Sequence, residues 1–263
     1  MPGRAAHLNL IESSRQLFEL DPGAEIEAAD GWFFGAGRST HPVISNAAFR
    51  ADDGLDPGEF IERARGFFSS RGRGFAIWAR TDVEEDRELI AAAETTGLRP
   101  VHETPEMLLD RRADSSPVAA GAELRRVAKP EDAADFWRVA ASAYLSNGFP
   151  PEIFAYYDAH EGLWADNVAA FLVHLDGQPA SIAMTIVTRG VAGIYWVGTT
   201  EEARGRGLAK TLTATAVNAG FDMGAEIASL QASPMGEPIY RGMGFERIFD
   251  YRLLMQSAPD RER

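Results

Sequence analysis

Residues 204–209 read RGRGLA and join an apolar run, GIYWVGT at 193–199, to a segment in which Leu208, Leu212 and Ala216 recur at helical spacing. A helix N-terminus offers unpaired amide N–H groups at the positive end of the helix dipole. Glycines there let the backbone approach a ligand closely and adopt positive φ. Such a junction can hold a phosphate or pyrophosphate. The segment matches neither common nucleotide loop. A Walker pattern fails because Ala209 precedes Lys210-Thr211, and a GxGxxG fingerprint started at Gly205 meets Lys210 at its third glycine. An ordinary glycine-containing loop with solvated arginines is the competing reading of these six residues taken alone.

A second candidate lies downstream in IYRGMGF, residues 239–245, where Tyr240 stands four residues before Gly244-Phe245. Taken by itself, Tyr240 reads as a packing residue on a short helix. Other chemistries fall away. The chain has no cysteine, so thiol nucleophiles, disulfides and cysteine metal sites are excluded, and no H-x-x-x-H pair or G-x-S-x-G elbow is present. Glu201, Glu202, Tyr195, His174 and His160 are candidate bases by residue type alone, with solvated-turn, packing or surface roles as their ordinary readings and a water chain as an equal alternative.

These residues must be positioned by alternating strands and helices. Helices are expected near 5–19, 57–70 and 86–96, with strands near 31–37, 42–50, 74–80 and 99–109. The helix at 57 opens DPGE, with Asp56 as N-cap and Glu59 placed for a capping box. A polar linker, 111–123, carries Pro117 and Gly121. Beyond it a strand leads to Pro130 and a helix bearing Phe136, Trp137, Ala140 and Tyr144. An aromatic-rich helix is expected around 151–162, then a hairpin turning at Asp176-Gly177, a strand at 194–200 and a helix at 206–220. A strand over AEIASLQAS, a short helix at 236–242 and a last strand complete the order. The two halves end alike, with Gly97 matching Gly244 and Leu98 matching Phe245, which points to a duplication.

In this order, strand, R-x-x-G-x-A, helix, strand, short helix and Tyr-x-x-x-Gly-Phe, the chain resembles the GNAT superfamily of acetyl-CoA-dependent N-acetyltransferases over roughly residues 122–256. The signature [RQ]xxGx[GA] is met by Arg204, Gly207 and Ala209. Ser233 stands where the family often has asparagine, and Glu201 where it often has proline. The resemblance implies an α/β (α+β) fold of two GNAT-like domains, each a mixed, mostly antiparallel sheet flanked by helices. Residues 1–112 would form a degenerate domain without a CoA site, and 122–258 the catalytic one. It implies acetyl-CoA as acyl donor, held by Val197, Gly198, Thr199, Arg204, Gly205, Arg206, Gly207, Leu208, Ala209 and Ser233. The backbone near Val197–Thr199 would meet the oxyanion, and Tyr240 would protonate the departing thiolate. Tyr144 or Phe149 would line the acceptor pocket. The activity implied is direct attack of a small molecule's primary amine on the thioester; a non-catalytic acyl-CoA-binding or regulatory protein is the alternative. In the first half Ala93 sits where Tyr240 sits, and acidic DPGEFIERA replaces the Arg/Gly junction, so that half is expected to hold no CoA, to pack against the second and to wall the acceptor site.

Composition bounds the partners. The chain has 263 residues, 45% of them hydrophobic, and a net charge of −13. An acidic surface repels phosphate backbones, so nucleic acid is not expected, while a neutral or cationic amine is compatible. No apolar run reaches the roughly 20 residues of a bilayer span. The start MPGRAAHLNLIESSRQLF lacks a signal-peptide core, and with no cysteine and no metal motif the expectation is a cytoplasmic, metal-free protein, compatible with a homodimer.

Overall fold

The computed structural model describes residues 2–29, 31–81, 83–115, 117–157 and 160–259. The first half runs α1 (Pro2–Glu19), β1 (Glu25–Ala29), β2 (Trp32–Ala36), β3 (Asn46–Arg50), α2 (Pro57–Ser69), β4 (Phe75–Arg80), α3 (Glu84–Thr95) and β5 (Arg99–Leu109). The second runs β6 (Ala122–Arg126), α4 (Pro130–Tyr144), β7 (Val168–Leu175), β8 (Gln178–Thr188), β9 (Val191–Thr199), α5 (Leu208–Asp222), β10 (Ile227–Gln231), α6 (Glu237–Gly242) and β11 (Glu246–Gln256). The expected hairpin turns at Asp176 (φ 51°) and Gly177 (φ 81°), the paired positive φ of a type I′ turn.

One 11-stranded sheet carries all of these strands, in the order β1-β2-β3-β4-β11-β5-β10-β9-β8-β7-β6. It is mixed and mostly antiparallel, with parallel contacts only at β3–β4 and β9–β10 among the described residues. The last strand of each half is exchanged: β11 pairs with β4, and β5 pairs with β10. The matched glycines explain how each strand is launched. Gly97 (φ 97°) and Gly244 (φ 93°) end their helices in the left-handed conformation. The amide of Leu98 then donates to Ala93 O at 2.9 Å, as that of Phe245 does to Tyr240 O at 3.0 Å. The shift that carries Gly97 onto Gly244 also carries the register pair Met107–Arg247 onto Leu254–Pro100, so the halves meet about a pseudo-twofold axis.

Helices cover both faces. On one, α2 and α3 pack over the first half and α5 and α6 over the second. On the other, α1, α4 and the aromatic segment share a single core across the halves. There α1 docks on the second half: Asn9 Nδ2 donates to Ile186 O (3.2 Å) and Val191 O (3.0 Å).

Three local expectations are corrected. The described residues of the 151–162 segment form short 3₁₀ turns, Pro151–Tyr156 and His160–Trp164, in place of the expected helix. Pro150 is extended (φ −68°, ψ 140°), and Phe154 and Tyr157, three residues apart, both reach Trp196, a spacing that a 3₁₀ turn presents on one side. Strand β1 was not anticipated, because EIEAA is a five-residue exposed edge with one large apolar residue, Ile26, too short a pattern to read. The strand expected from 42 begins at Asn46, residues 42–45 being turn.

Candidate active site

Strands β9 and β10 pair only from Val191–Ile227 to Gly193–Ser229 and then diverge. Beyond that point β9 carries a bulge: Met184 faces Tyr195 and Ile182 faces Gly198, so Trp196 and Val197 together oppose Ala183. Trp196 has φ 52°, a left-handed conformation that costs a bulky aromatic residue free energy. Rings of Tyr144 (5.3 Å), Phe154 (5.3 Å), Tyr157 (6.0 Å) and Trp137 (6.0 Å) hold it there.

The divergence opens a cleft of about 590 Å³. Of the positions expected from sequence, Val197, Gly198, Thr199, Arg204, Gly205, Gly207, Leu208, Ala209, Ser233, Tyr144 and Tyr240 line it. Arg206 and Phe149 do not. Phe149 instead packs between Tyr144 (6.0 Å) and His41 of the first half (5.3 Å).

One wall is the start of α5. Gly205 (φ 76°) and Gly207 (φ 77°) both need positive φ, and a Cβ on either would meet nothing within 4 Å, so the backbone lies open to the cleft. The amide of Thr211 is paired to Gly207 O at 3.1 Å. The amides of 208–210 precede it and are the orphan donors of a helix start, with no acidic residue in that turn. The Arg204 side chain reaches Ser146, its Nη2 donating to Ser146 Oγ at 2.8 Å.

The opposite wall is the β10–α6 connection. Tyr240 is 8% exposed, and burial pushes its phenol up from the ordinary value, keeping it protonated. Gly236 makes room for the ring: a Cβ there would lie 2.8 Å from Tyr240 Cε2. Ser233 Oγ accepts from the Gly236 amide at 3.2 Å, shaping the same turn. Tyr144 closes the end, its hydroxyl donating to Val197 O at 3.3 Å. Gly198 permits this approach, since a Cβ would stand 2.9 Å from Ala143 Cβ. Neither Gly236 nor the Trp196 bulge carried a sequence signal, because both answer to contacts made only in the fold.

The candidate bases lie elsewhere. His174, on β7, is buried against Asp135 Oδ2 at 3.1 Å. Tyr195 points to the other sheet face and donates to Asn9 Oδ1 at 2.8 Å. Glu201 and Glu202 are exposed in a 3₁₀ turn. The side chain of His160 is outside the described residues. No group of three His, Cys, Asp or Glu residues suited to a metal occurs among the described residues.

The first half has the same divergence, between β3 and β4, and fills it. Arg50 Nη2 and Arg80 Nε each lie 2.7 Å from Asp86, and all three side chains are buried. Burial alone would raise the Asp86 carboxyl, but Arg80 and Arg50 outweigh it and hold the group below its usual range. At the start of α2, Asp56 Oδ1 accepts the Glu59 amide at 2.8 Å, so a carboxylate already occupies that helix N-terminus.

Comparison with known proteins agrees with this architecture. Residues 109–232 match the family described as acetyltransferase (GNAT) domain. No curated protein matches the chain in sequence. Among solved structures, a GCN5-related N-acetyltransferase from Kribbella flavida aligns with a TM-score of 0.70 and 22% identity, over 96% of this chain and 95% of that one. A GCN5-related N-acetyltransferase from Sphaerobacter thermophilus aligns at 0.65 and 14% identity, over 100% and 96%. A tandem GNAT protein from the clavulanic acid biosynthesis pathway aligns at 0.62 and 13%, over 95% and 96%. At these identities the likeness is one of fold, and it spans both halves. The match over residues 109–232 and the fold shared across both halves make this chain similar to GNAT acetyltransferases.

Proposed function

We propose that the protein moves an acetyl group from acetyl-CoA to a primary amine of a small molecule, by direct attack in the β9–β10 cleft of the second half. The observation that carries this reading is the glycine-opened start of α5 facing Tyr240 across one cleft. The pyrophosphate would sit on amides of residues 204–209, where the helix dipole favours negative charge. The thioester would lie along the bulged end of β9, with a backbone N–H near Val197–Thr199 meeting the oxyanion. Tyr240 would give its proton to the CoA thiolate. The negative surface favours approach of a cationic acceptor. The first half, residues 1–112, would hold no CoA, consistent with Arg50, Arg80 and Asp86 occupying its cleft.

Calorimetry with acetyl-CoA tests the donor site, with one molecule bound per chain as the expected result. Thiol release on adding a panel of primary amines then tests transfer. Two CoA sites per chain would refute the assignment of the halves. Binding without thiol release from any amine would favour an acyl-CoA-binding protein without turnover.

A further inference from the structure

Helix α4 ends at Tyr144, and a 3₁₀ turn, Leu145–Asn147, followed by Gly148 at φ 80°, folds the chain back. The amide of Phe149 then donates to Tyr144 O at 3.3 Å, and its ring packs on that of Tyr144 at 6.0 Å. Trp196 (5.3 Å) and Phe154 (5.8 Å) meet the same ring. The Tyr144 hydroxyl donates to Val197 O at 3.3 Å, on the bulged strand. A side chain held this way swings aside only by disturbing a close-packed core.

Beside the ring, α4 and β9 leave no gap. A Cβ on Gly198 would stand 2.9 Å from Ala143 Cβ and 3.4 Å from Tyr144 Cε2, and all three residues line the cleft. Burial raises the Tyr144 phenol, and the nearby Tyr240 raises it further, so both hydroxyls stay protonated. The part of the cleft next to Tyr240 and the bulge therefore ends on a fixed, uncharged ring.

We propose that Tyr144 sets the size of the acyl group, admitting acetyl and stopping longer chains; this rests on the reading of the β9–β10 cleft as an acetyl-CoA site. A thioester is planar at its carbonyl carbon. Sulfur, oxygen and the alkyl chain share that plane, and an amine attacks from above or below it. With sulfur at Tyr240 and oxygen at the β9 amides, the remaining in-plane substituent is the alkyl chain. It runs toward the end of the cleft that Tyr144 closes. The other neighbours of the ring, Phe149, Phe154 and Trp196, are aromatic, so cutting Tyr144 back opens room suited to an alkyl chain.

The experiment compares the full-length protein with Tyr144→Ala, Tyr144→Leu and Tyr144→Phe. Thiol release from acetyl-, propionyl-, butyryl- and hexanoyl-CoA is followed with an amine panel, calorimetry reads acetyl-CoA binding, and melting temperature checks the fold. In the parent, kcat/KM with butyryl-CoA should lie at least about 100-fold below that with acetyl-CoA, about tenfold or more for each added methylene. Tyr144→Ala should raise the butyryl-to-acetyl ratio at least about tenfold. Tyr144→Leu should raise it in the same direction, and serves alone where the Ala variant does not fold. Because a ratio is read, any general loss from loosening Trp196 cancels. Tyr144→Phe keeps the ring and should keep the parent's ratio, although it loses the bond to Val197 O. A parent that uses butyryl-CoA as well as acetyl-CoA would overturn the role of Tyr144 and leave the transfer reading standing. So would a ratio unchanged in the folded Ala or Leu variant, or a Phe variant that matches them. A parent that binds no acetyl-CoA, or binds it and releases no thiol with any donor and amine, would overturn that reading, and the proposal with it.

Discussion

Tyr240 owes its position to neighbours that have no chemistry of their own. Gly236 leaves space for the ring, and Phe245 meets it edge-on at 5.9 Å. Because burial keeps the phenol protonated, the hydroxyl is available as an acid throughout the neutral range. Replacing it with Tyr240→Phe keeps the ring and removes only the oxygen. Acetyl-CoA affinity should stay nearly constant while turnover falls by about 10²–10⁴-fold, with kcat and kcat/KM reduced together. Normal turnover in the Phe variant, measured with the best amine found, would assign Tyr240 to packing.

At the scale of elements, the decisive contrast is between two helix starts. Helix α5 begins on bare amides behind Gly207, whereas α2 begins on the Asp56 carboxylate. If the pyrophosphate of acetyl-CoA sits at the start of α5, as proposed, a carboxylate introduced there should repel it. Gly207→Asp keeps a residue type that tolerates positive φ better than most, so the helix should still form. Acetyl-CoA affinity should fall at least tenfold, about 1.4 kcal/mol, through like-charge repulsion. Unchanged affinity by calorimetry would place the pyrophosphate elsewhere.

For the whole molecule, exchange of β5 and β11 ties the halves into one sheet and places two perturbed groups in its shared core. His7 is buried with Nε2 bonded to Arg50 O at 3.0 Å, so Nε2 carries the proton and Nδ1 accepts from the Tyr251 hydroxyl at 2.9 Å. Burial, with Arg80 adding to it, lowers this imidazole from 6.5 to about 4. Its contribution to stability is present above pH 6.5 and is lost as pH falls through about 4. Glu106 has the opposite sign: raised from 4.5 to about 8, its contribution is complete below 4.5 and is lost as pH rises through about 8. Between pH 6.5 and 8 Glu106 acts without His7, and stability should decline there by up to about 1.4 kcal/mol per pH unit. Glu106→Gln should flatten that stretch in denaturant unfolding followed across pH; an identical slope in both proteins would show that Glu106 does not hold its proton when folded.

The sequence by itself determined what depends on neighbours along the chain. Glycines at 97, 177, 205, 207 and 244 mark positive φ because no other residue adopts it so cheaply, and Asp56 and Pro57 mark a helix start through local hydrogen bonding and a fixed φ. The glycine-rich helix start at 204–209 and the matching ends of the two halves were legible for that reason. Tertiary structure alone decided what depends on partners far away in sequence. The 151–162 segment yields to packing around Trp196, whose own strained φ is held by rings from α4 and the turns that follow it. The joining of β5 to β10 followed from strand exchange, a long-range pairing that leaves no periodic trace. Glu106 reads locally as one more polar residue on a strand; only the register of β5 against β10 buries it against Gln231.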